Sequence, residues 1–191
     1  RHLPVLDPGA GRWRSNPRNQ TGELAAAGDS GAVWDEAYFP LATGRWTRGD
    51  AGAVVVGSLT KLLACPGLRV GYVLAPPPAF GDAVRRRQPA WAVGAVACAV
   101  LPEALEQVDL PRWSAAIDDL RRGLVAVLDG FDVRSADAPW VLVRDAGDLR
   151  DRLARHAVLV RDCTSFGLPG TVRVAVPDER GIERLAAALR A

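Results

Sequence analysis

VVVGSLTKLLACPGLRVGY, residues 54–72, is the stretch that decides how this chain reads. It opens on β-branched residues with no polar break, and Ala51 to Gly57 is predicted to be a strand buried inside a parallel sheet. A loop rich in Ser, Thr and Gly follows, carrying Lys61 and, eight residues later, Arg69. Among 24 Lys plus Arg, Lys61 is the only lysine. A primary amine can shed its proton and attack a carbonyl carbon, which a guanidinium cannot do. The competing reading is a leftover exposed lysine in a chain that writes its surface charge as arginine.

Residues 1–30 are polar and read as loops around one short helical stretch, Gly22 to Ala27. GAVWDEAYF, residues 31–39, is a short apolar strand with an acidic end. Pro77 to Arg87 is predicted to be helical, with proline allowed in the first turn. Ala90 to Gln107 is apolar on most faces and is therefore expected to be a buried helix. Pro111 to Leu128 is amphipathic, with Trp113, Ile117, Leu120, Leu124 and Leu128 at helical spacing. Then come a strand (140–143), a helix (146–156), two strands (157–161 and 172–176) and a closing helix (178–190). The fold class is α/β. The order predicts part of a mainly parallel sheet domain over 1–108 and a smaller α/β domain over 109–191.

Composition narrows the function. A net charge of +2 does not call for nucleic acid, and the cluster Arg85 to Arg87 reads as the end of an exposed helix. No apolar stretch is long enough to span a bilayer, and no secretory signal opens the chain. Cys65, Cys98 and Cys163 lack metal-ligand spacing and read as free thiols of a reducing, cytoplasmic compartment. His2 and His156 do not suggest a metal site. With no methionine, residue 1 is not a translation start, which points to a processed form or a fragment.

Four segments carry candidate chemistry. They are SNPRNQTG (15–22), DEAY (35–38), SLTK with GLR (58–61 and 67–69), and VRDC with TVRV (160–163 and 171–174). In an open α/β sheet, ligands gather beyond the carboxyl ends of the strands, where the first three segments lie. Glu36 neighbours Asp35, but successive strand residues point to opposite faces, so the two carboxylates are not expected to share a site. Trp91 is expected to pack in the core.

In this order the segments resemble the fold-type I pyridoxal-phosphate enzymes of the class I/II aminotransferase superfamily, in the branch holding histidinol-phosphate aminotransferase and L-threonine-O-3-phosphate decarboxylase. SLTK with PGLRVGY, RRQPAWAV (86–93) and VRDCTSFGLPGTVRVAV (160–176) resemble the decarboxylase of cobalamin synthesis most. The resemblance implies that Lys61 joins the aldehyde of pyridoxal 5'-phosphate and that Asp35 keeps its ring nitrogen protonated, so that the ring can act as an electron sink. It implies that Tyr38 and Asn19 bond the ring's phenolic oxygen, and that Ser58, Thr60 and Arg69 cup the phosphate. Arg161 and Arg173 are implied to hold a substrate carboxylate. It further implies a phosphorylated amino-acid substrate, decarboxylation or amino transfer, and a cytoplasmic homodimer. The chain departs from the family pattern at Gln20, where a proline is usual. The connection from Asn19 to Asp35 is shorter than the family's, and the family's N-terminal half is not among these residues. Two rival readings use the same residues. Ser58 to Lys61 spells the S-x-x-K of penicillin-binding enzymes, which fails because a second lysine is required. The other is a non-catalytic remnant that keeps the fold.

Overall fold

A computed structural model describes residues 11–49, 52–75 and 78–191. The chain builds two four-stranded sheets. The first contains β1 (Trp13–Ser15), β2 (Val33–Asp35), β3 (Val54–Ser58) and β4 (Gly71–Leu74), in that spatial order. The first three strands run parallel, and β4 returns antiparallel to β3. The β-branched run is buried as expected, with Val54 and Val55 inside β3, but the strand lies between parallel β2 and antiparallel β4 rather than inside a wholly parallel sheet. Ser15, Asp35 and Val56 are register partners and share one sheet face, and Ser58, two residues beyond Val56, lies on it as well. Where β3 meets β4, a Cβ on Gly57 would lie 2.0 Å from Cζ of Tyr72, so a larger residue here would displace that ring.

The second sheet contains β5 (Asp132–Ser135), β6 (Trp140–Arg144), β7 (Arg161–Asp162) and β8 (Val172–Ala175). Its order is β5-β6-β8-β7, antiparallel throughout. Between and around the sheets run α1 (Phe39–Thr43), α2 (Leu59–Leu62), α3 (Pro78–Arg87), α4 (Ala95–Glu106), α5 (Leu110–Val127), α6 (Leu149–Ala154) and α7 (Glu179–Arg190). Asp109 caps α5 by accepting from the Arg112 N–H (3.1 Å), and Asp178 caps α7 by accepting from that of Gly181 (2.8 Å). Leu124 and Leu128, at the end of the amphipathic run, meet Val141, Val143, Leu149, Leu153 and Leu185 in one core. α5 also packs against α1 and so ties the two sheets together.

Several expectations from sequence need correction. Gly22 to Ala27 is not helical. Its N–H groups are captured elsewhere: Leu24 donates to Asp137 Oδ2 (3.0 Å), Ala25 to Asn16 Oδ1 (2.9 Å) and Ala26 to Asp29 Oδ2 (3.1 Å). Side-chain acceptors have outcompeted the helix. The polar segment 1–30 contains a strand, β1, and neither β4 nor β5 was anticipated. The strand expected at 157–161 shrinks to the two residues of β7. α4 is not a buried helix. Only Ala97 and Leu101 are buried, with Leu105 packed partly beside them, while Val96 is 67% and Val100 45% exposed. Trp91, expected in the core, is 93% exposed. Pro77 and His2 lie outside the described residues, and His156 is exposed. Among the described residues, no helix is long and apolar enough to cross a membrane, and no cluster of His, Cys, Asp or Glu could hold a metal.

Candidate active site

Lys61 sits in α2, directly after β3. The turn is set by Ser58, whose Oγ accepts from the Lys61 N–H (3.4 Å). Thr60 is buried, and its hydroxyl both donates to the Val70 carbonyl and accepts from the Val70 N–H, each at 3.1 Å. Those two bonds clamp the loop shut and occupy the hydroxyl within the fold. Arg69 is exposed at a backbone φ of 49°, in the left-handed region, and donates to the Pro66 carbonyl (3.3 Å). Holding a side chain there costs on the order of 1 kcal/mol, which the clamp at Val70 offsets.

Lys61 is itself exposed, and its Nζ stands 5.5 Å from the centroid of the Tyr38 ring. Tyr38 precedes α1, three residues after Asp35 at the end of β2. The Asp35 carboxylate accepts from the Ala37 N–H (3.1 Å), which fixes it at the strand's carboxyl end. Glu36 turns away: it is fully buried, and both its oxygens accept from the Arg48 N–H (3.3 Å each). The Arg48 guanidinium lies 4.9 Å from the Trp34 ring and donates to the carbonyls of Ala27 and Asp29. As expected from the strand alternation, the two carboxylates have separate surroundings.

The second sheet reaches the same region. Arg161 and Arg173 are register partners on β7 and β8, and Arg173 pairs with Leu142 of β6. Arg161, Arg173, Leu142 and Trp140 therefore share one sheet face. The Arg173 guanidinium lies 4.7 Å from the Trp140 ring and 5.3 Å from that of Phe166, and its Nη1 donates to Asn19 Oδ1 (3.3 Å). Arg161 lies over the same Phe166 ring at 5.0 Å and donates to Ser165 Oγ (3.3 Å). Trp140 meets Tyr38 edge-on, with centroids 5.0 Å apart. A line of contacts thus runs from Lys61 through Tyr38 and Trp140 to Arg173 and Asn19. Beneath it, Cys163 packs with Ala138, Trp140 and Leu142. Burial pushes the Cys163 thiol up from its ordinary value, and the Arg173 cation opposes that rise. All three cysteines are unpaired.

The two units are stitched where Asn19 meets the second sheet. The Asp137 and Ala138 N–H groups donate to the Gly22 carbonyl (3.2 and 3.0 Å). Gly22 has a φ of 78°, and a Cβ there would meet Ala138 at 3.1 Å. From the other side, Arg121 Nη1 donates to the carbonyls of Asp137 and Ala138 (2.9 and 3.0 Å). Trp140 and Phe166 were not singled out from sequence. Their signal was positional: Trp140 shares the parity of Leu142, the register partner of Arg173. A groove of about 560 Å³ between β4 and α3 is lined by Gly57, Gly71, Tyr72 and Arg85, and neither Lys61 nor Asp35 faces it.

The donor set fits pyridoxal phosphate. An exposed amine, a carboxylate fixed at a strand end, a phenol and an amide stand on neighbouring elements, with a guanidinium on the loop after the amine. Comparison with known proteins agrees. The sequence profile named aminotransferase class I and II matches residues 19–189. A histidinol-phosphate aminotransferase of Halobacterium salinarum is 34% identical over 139 residues, covering 71% of this chain and 37% of the relative. One from Symbiobacterium thermophilum is 30% identical, covering 98% of this chain and 60% of the relative. Among solved structures, the histidinol-phosphate aminotransferase of Clostridium acetobutylicum superposes with a TM-score of 0.81 at 23% identity, covering 93% of this chain and 62% of that one. The L-threonine-O-3-phosphate decarboxylase of Porphyromonas gingivalis superposes at 0.71 with 25% identity, with the same coverages, 93% and 62%. The chain spans less than two thirds of the length of each of these proteins. With the profile covering all but its ends, this chain belongs to the aminotransferase class I and II family, a family that works with pyridoxal phosphate.

Proposed function

We propose that this chain is the lysine-bearing portion of a pyridoxal-phosphate enzyme acting on a phosphorylated amino acid. The observation that carries this reading is the placement of Lys61, the only lysine, 5.5 Å from the Tyr38 ring. From there the line of contacts leads to an arginine that no carboxylate neutralises among the described residues. When bound, the cofactor supplies an aldehyde that combines with amines and a ring that draws electron density from the adjacent carbon. Lys61 would carry it, and would move protons at that carbon once displaced. Asp35 would hold the ring nitrogen protonated. Asn19, its Oδ1 engaged by Arg173, keeps its amide N–H groups free for the ring's oxygen, beside the Tyr38 hydroxyl. Ser58 and Arg69 would hold the phosphate, with Thr60 shaping the loop rather than facing outward. Arg173 and Arg161 would take the substrate's anionic group. A division at residues 108/109 and a cytoplasmic homodimer of the longer protein complete the proposal.

Decarboxylation of threonine phosphate is the first reading of the reaction, supported by the resemblance of residues 86–93 and 160–176 and by the solved decarboxylase among the structural neighbours. Amino transfer of the histidinol-phosphate type is the second, favoured by the curated relatives. Borohydride reduction after incubation with pyridoxal phosphate should place label on the peptide 49–69 released by cleavage at arginine. Label at the N-terminal amine alone, with Lys61 unmodified, overturns the cofactor assignment. In the longer protein, carbon dioxide release from threonine phosphate with no 2-oxo acid selects the first reading. Glutamate-dependent amino transfer to imidazole-acetol phosphate selects the second.

A further inference from the structure

Outside the residues assigned above, Trp140 touches Tyr38, Arg173 and Cys163. It is 4% exposed, opens β6, and touches both halves of the candidate site. We propose that Trp140 is a positioning residue, whose ring holds the Arg173 guanidinium as a preformed seat for an anionic group. This rests on the reading of Arg173 as the substrate's anion partner.

Arg161 and Arg173 stand directly opposite each other on β7 and β8, and like charges in that position repel. No salt bridge to either one is found among the described residues. Something else must hold Arg173 in place, and aromatic faces do so. A guanidinium over a ring is attracted by the ring's quadrupole and gives up none of its in-plane N–H donors. Trp140 lies on one ring contact at 4.7 Å, Phe166 on the other at 5.3 Å, and Asn19 takes Nη1. Nε and Nη2 of Arg173 make no hydrogen bond within the described protein, so one edge of the fork stays open for an anion. Preorganisation of this kind raises affinity by removing the cost of ordering a long side chain at the moment of binding.

The same ring has a second contact. Tyr38 stands edge-on to Trp140 at 5.0 Å, and Lys61 stands over Tyr38. Trp140 thus spaces the anion seat from the lysine, and it stands on β6 of the second sheet rather than on the Lys61 loop. Its Nε1 is buried without a hydrogen-bond partner, so no polar tie of its own explains its placement; the ring contacts do.

The test uses the full 191-residue chain without cofactor, and inorganic phosphate as probe. Modification of arginine by phenylglyoxal is followed peptide by peptide, and the phosphate concentration that protects Arg173 is read. Trp140→Phe, which keeps a ring, should stay within about twofold of the parent. Trp140→Leu, which removes it, should need about fivefold more phosphate, the scale of ordering one arginine side chain. Should Trp140→Leu fail to fold, Trp140→Met takes its place, filling the volume without a ring. Unchanged protection in the Leu or Met variant overturns the proposal. So does equal loss in the Phe variant, since a ring should suffice, and so does absence of protection in the parent chain. Lys61 labelling by pyridoxal phosphate is read separately in each variant. Its failure strikes the cofactor reading, whereas failure of phosphate protection strikes only the seat.

Discussion

The two sheets of this chain are held together by different means. In the second, β6 is buried on both faces: Val141 and Val143 are fully buried against α5, α6 and α7, and Trp140 and Leu142 are covered by the site. In the first, β3 is buried, but β4 exposes Val73 (42%) and Leu74 (43%), and α4 turns most of its apolar residues outward. The first sheet compensates with polar ties. Buried Glu36 holds the Arg48 backbone, Arg48 holds the loop at Ala27 and Asp29, and the Tyr72 hydroxyl donates to the Trp46 carbonyl. Apolar packing is non-directional and tolerates isolation from the rest of a fold, whereas a polar network fails when one member is lost. The two halves of the candidate site therefore have unequal supports.

The widest gap is expected between core substitutions. Leu124→Ala, at a fully buried position, should cost about 3 kcal/mol in urea unfolding. Leu74→Ala on β4 should cost well under about 1 kcal/mol. Equal costs would erase the contrast between the sheets. Next comes the polar tie. Glu36→Gln removes the charge that accepts from Arg48 and should cost about 2 kcal/mol, localised by hydrogen exchange to β2, β3 and residues 45–49. Loss of protection spread evenly over both sheets would show that the tie is not local.

The smallest effect concerns pH. Burial, then the Glu36 charge, pushes the Tyr72 hydroxyl above its ordinary value of 10.0. A folded-state value raised in this way favours the protonated phenol. Its contribution is complete below pH 10.0 and is lost as pH rises from there through the folded value. Tyr72→Phe gives up only a weak bond to the Trp46 carbonyl (3.4 Å). Its stability at pH 7 should fall by less than about 1 kcal/mol, and its decline above pH 10.0 should be shallower than that of the parent. An alkaline limb unchanged by the substitution would assign the titration elsewhere.

Legibility from sequence followed the same divide. β3, α5, β6, β8 and α7 were readable because their apolar periodicity matches their burial. α4 misled because apolar content was equated with burial, and only Ala97 and Leu101 are covered. The segment 22–27 misled because its N–H donors go to Asp137, Asn16 and Asp29, the first of them 113 residues away, which no local pattern records. At the candidate site, the family resemblance named Lys61, Asp35, Tyr38, Asn19 and Arg173, and the contacts from Lys61 through Tyr38 and Trp140 to Arg173 and Asn19 link residues it named. Trp140 and Phe166 were missed because an aromatic beside an arginine becomes visible only once strand register is known. The resemblance groups Thr60 with Ser58 and Arg69 around the phosphate, whereas its hydroxyl is engaged by Val70, ten residues on.

The bond between Arg173 and Asn19 joins residues 154 positions apart. Contacts of such long span form late, because closing so large a loop is repaid only when most of the chain is already ordered. The two cores can each collapse from nearer neighbours. The line from Lys61 to Arg173 closes only when both ends of the chain arrive at the same place. Ligand-binding competence should therefore be the last property acquired on refolding, appearing after the far-ultraviolet signal is complete.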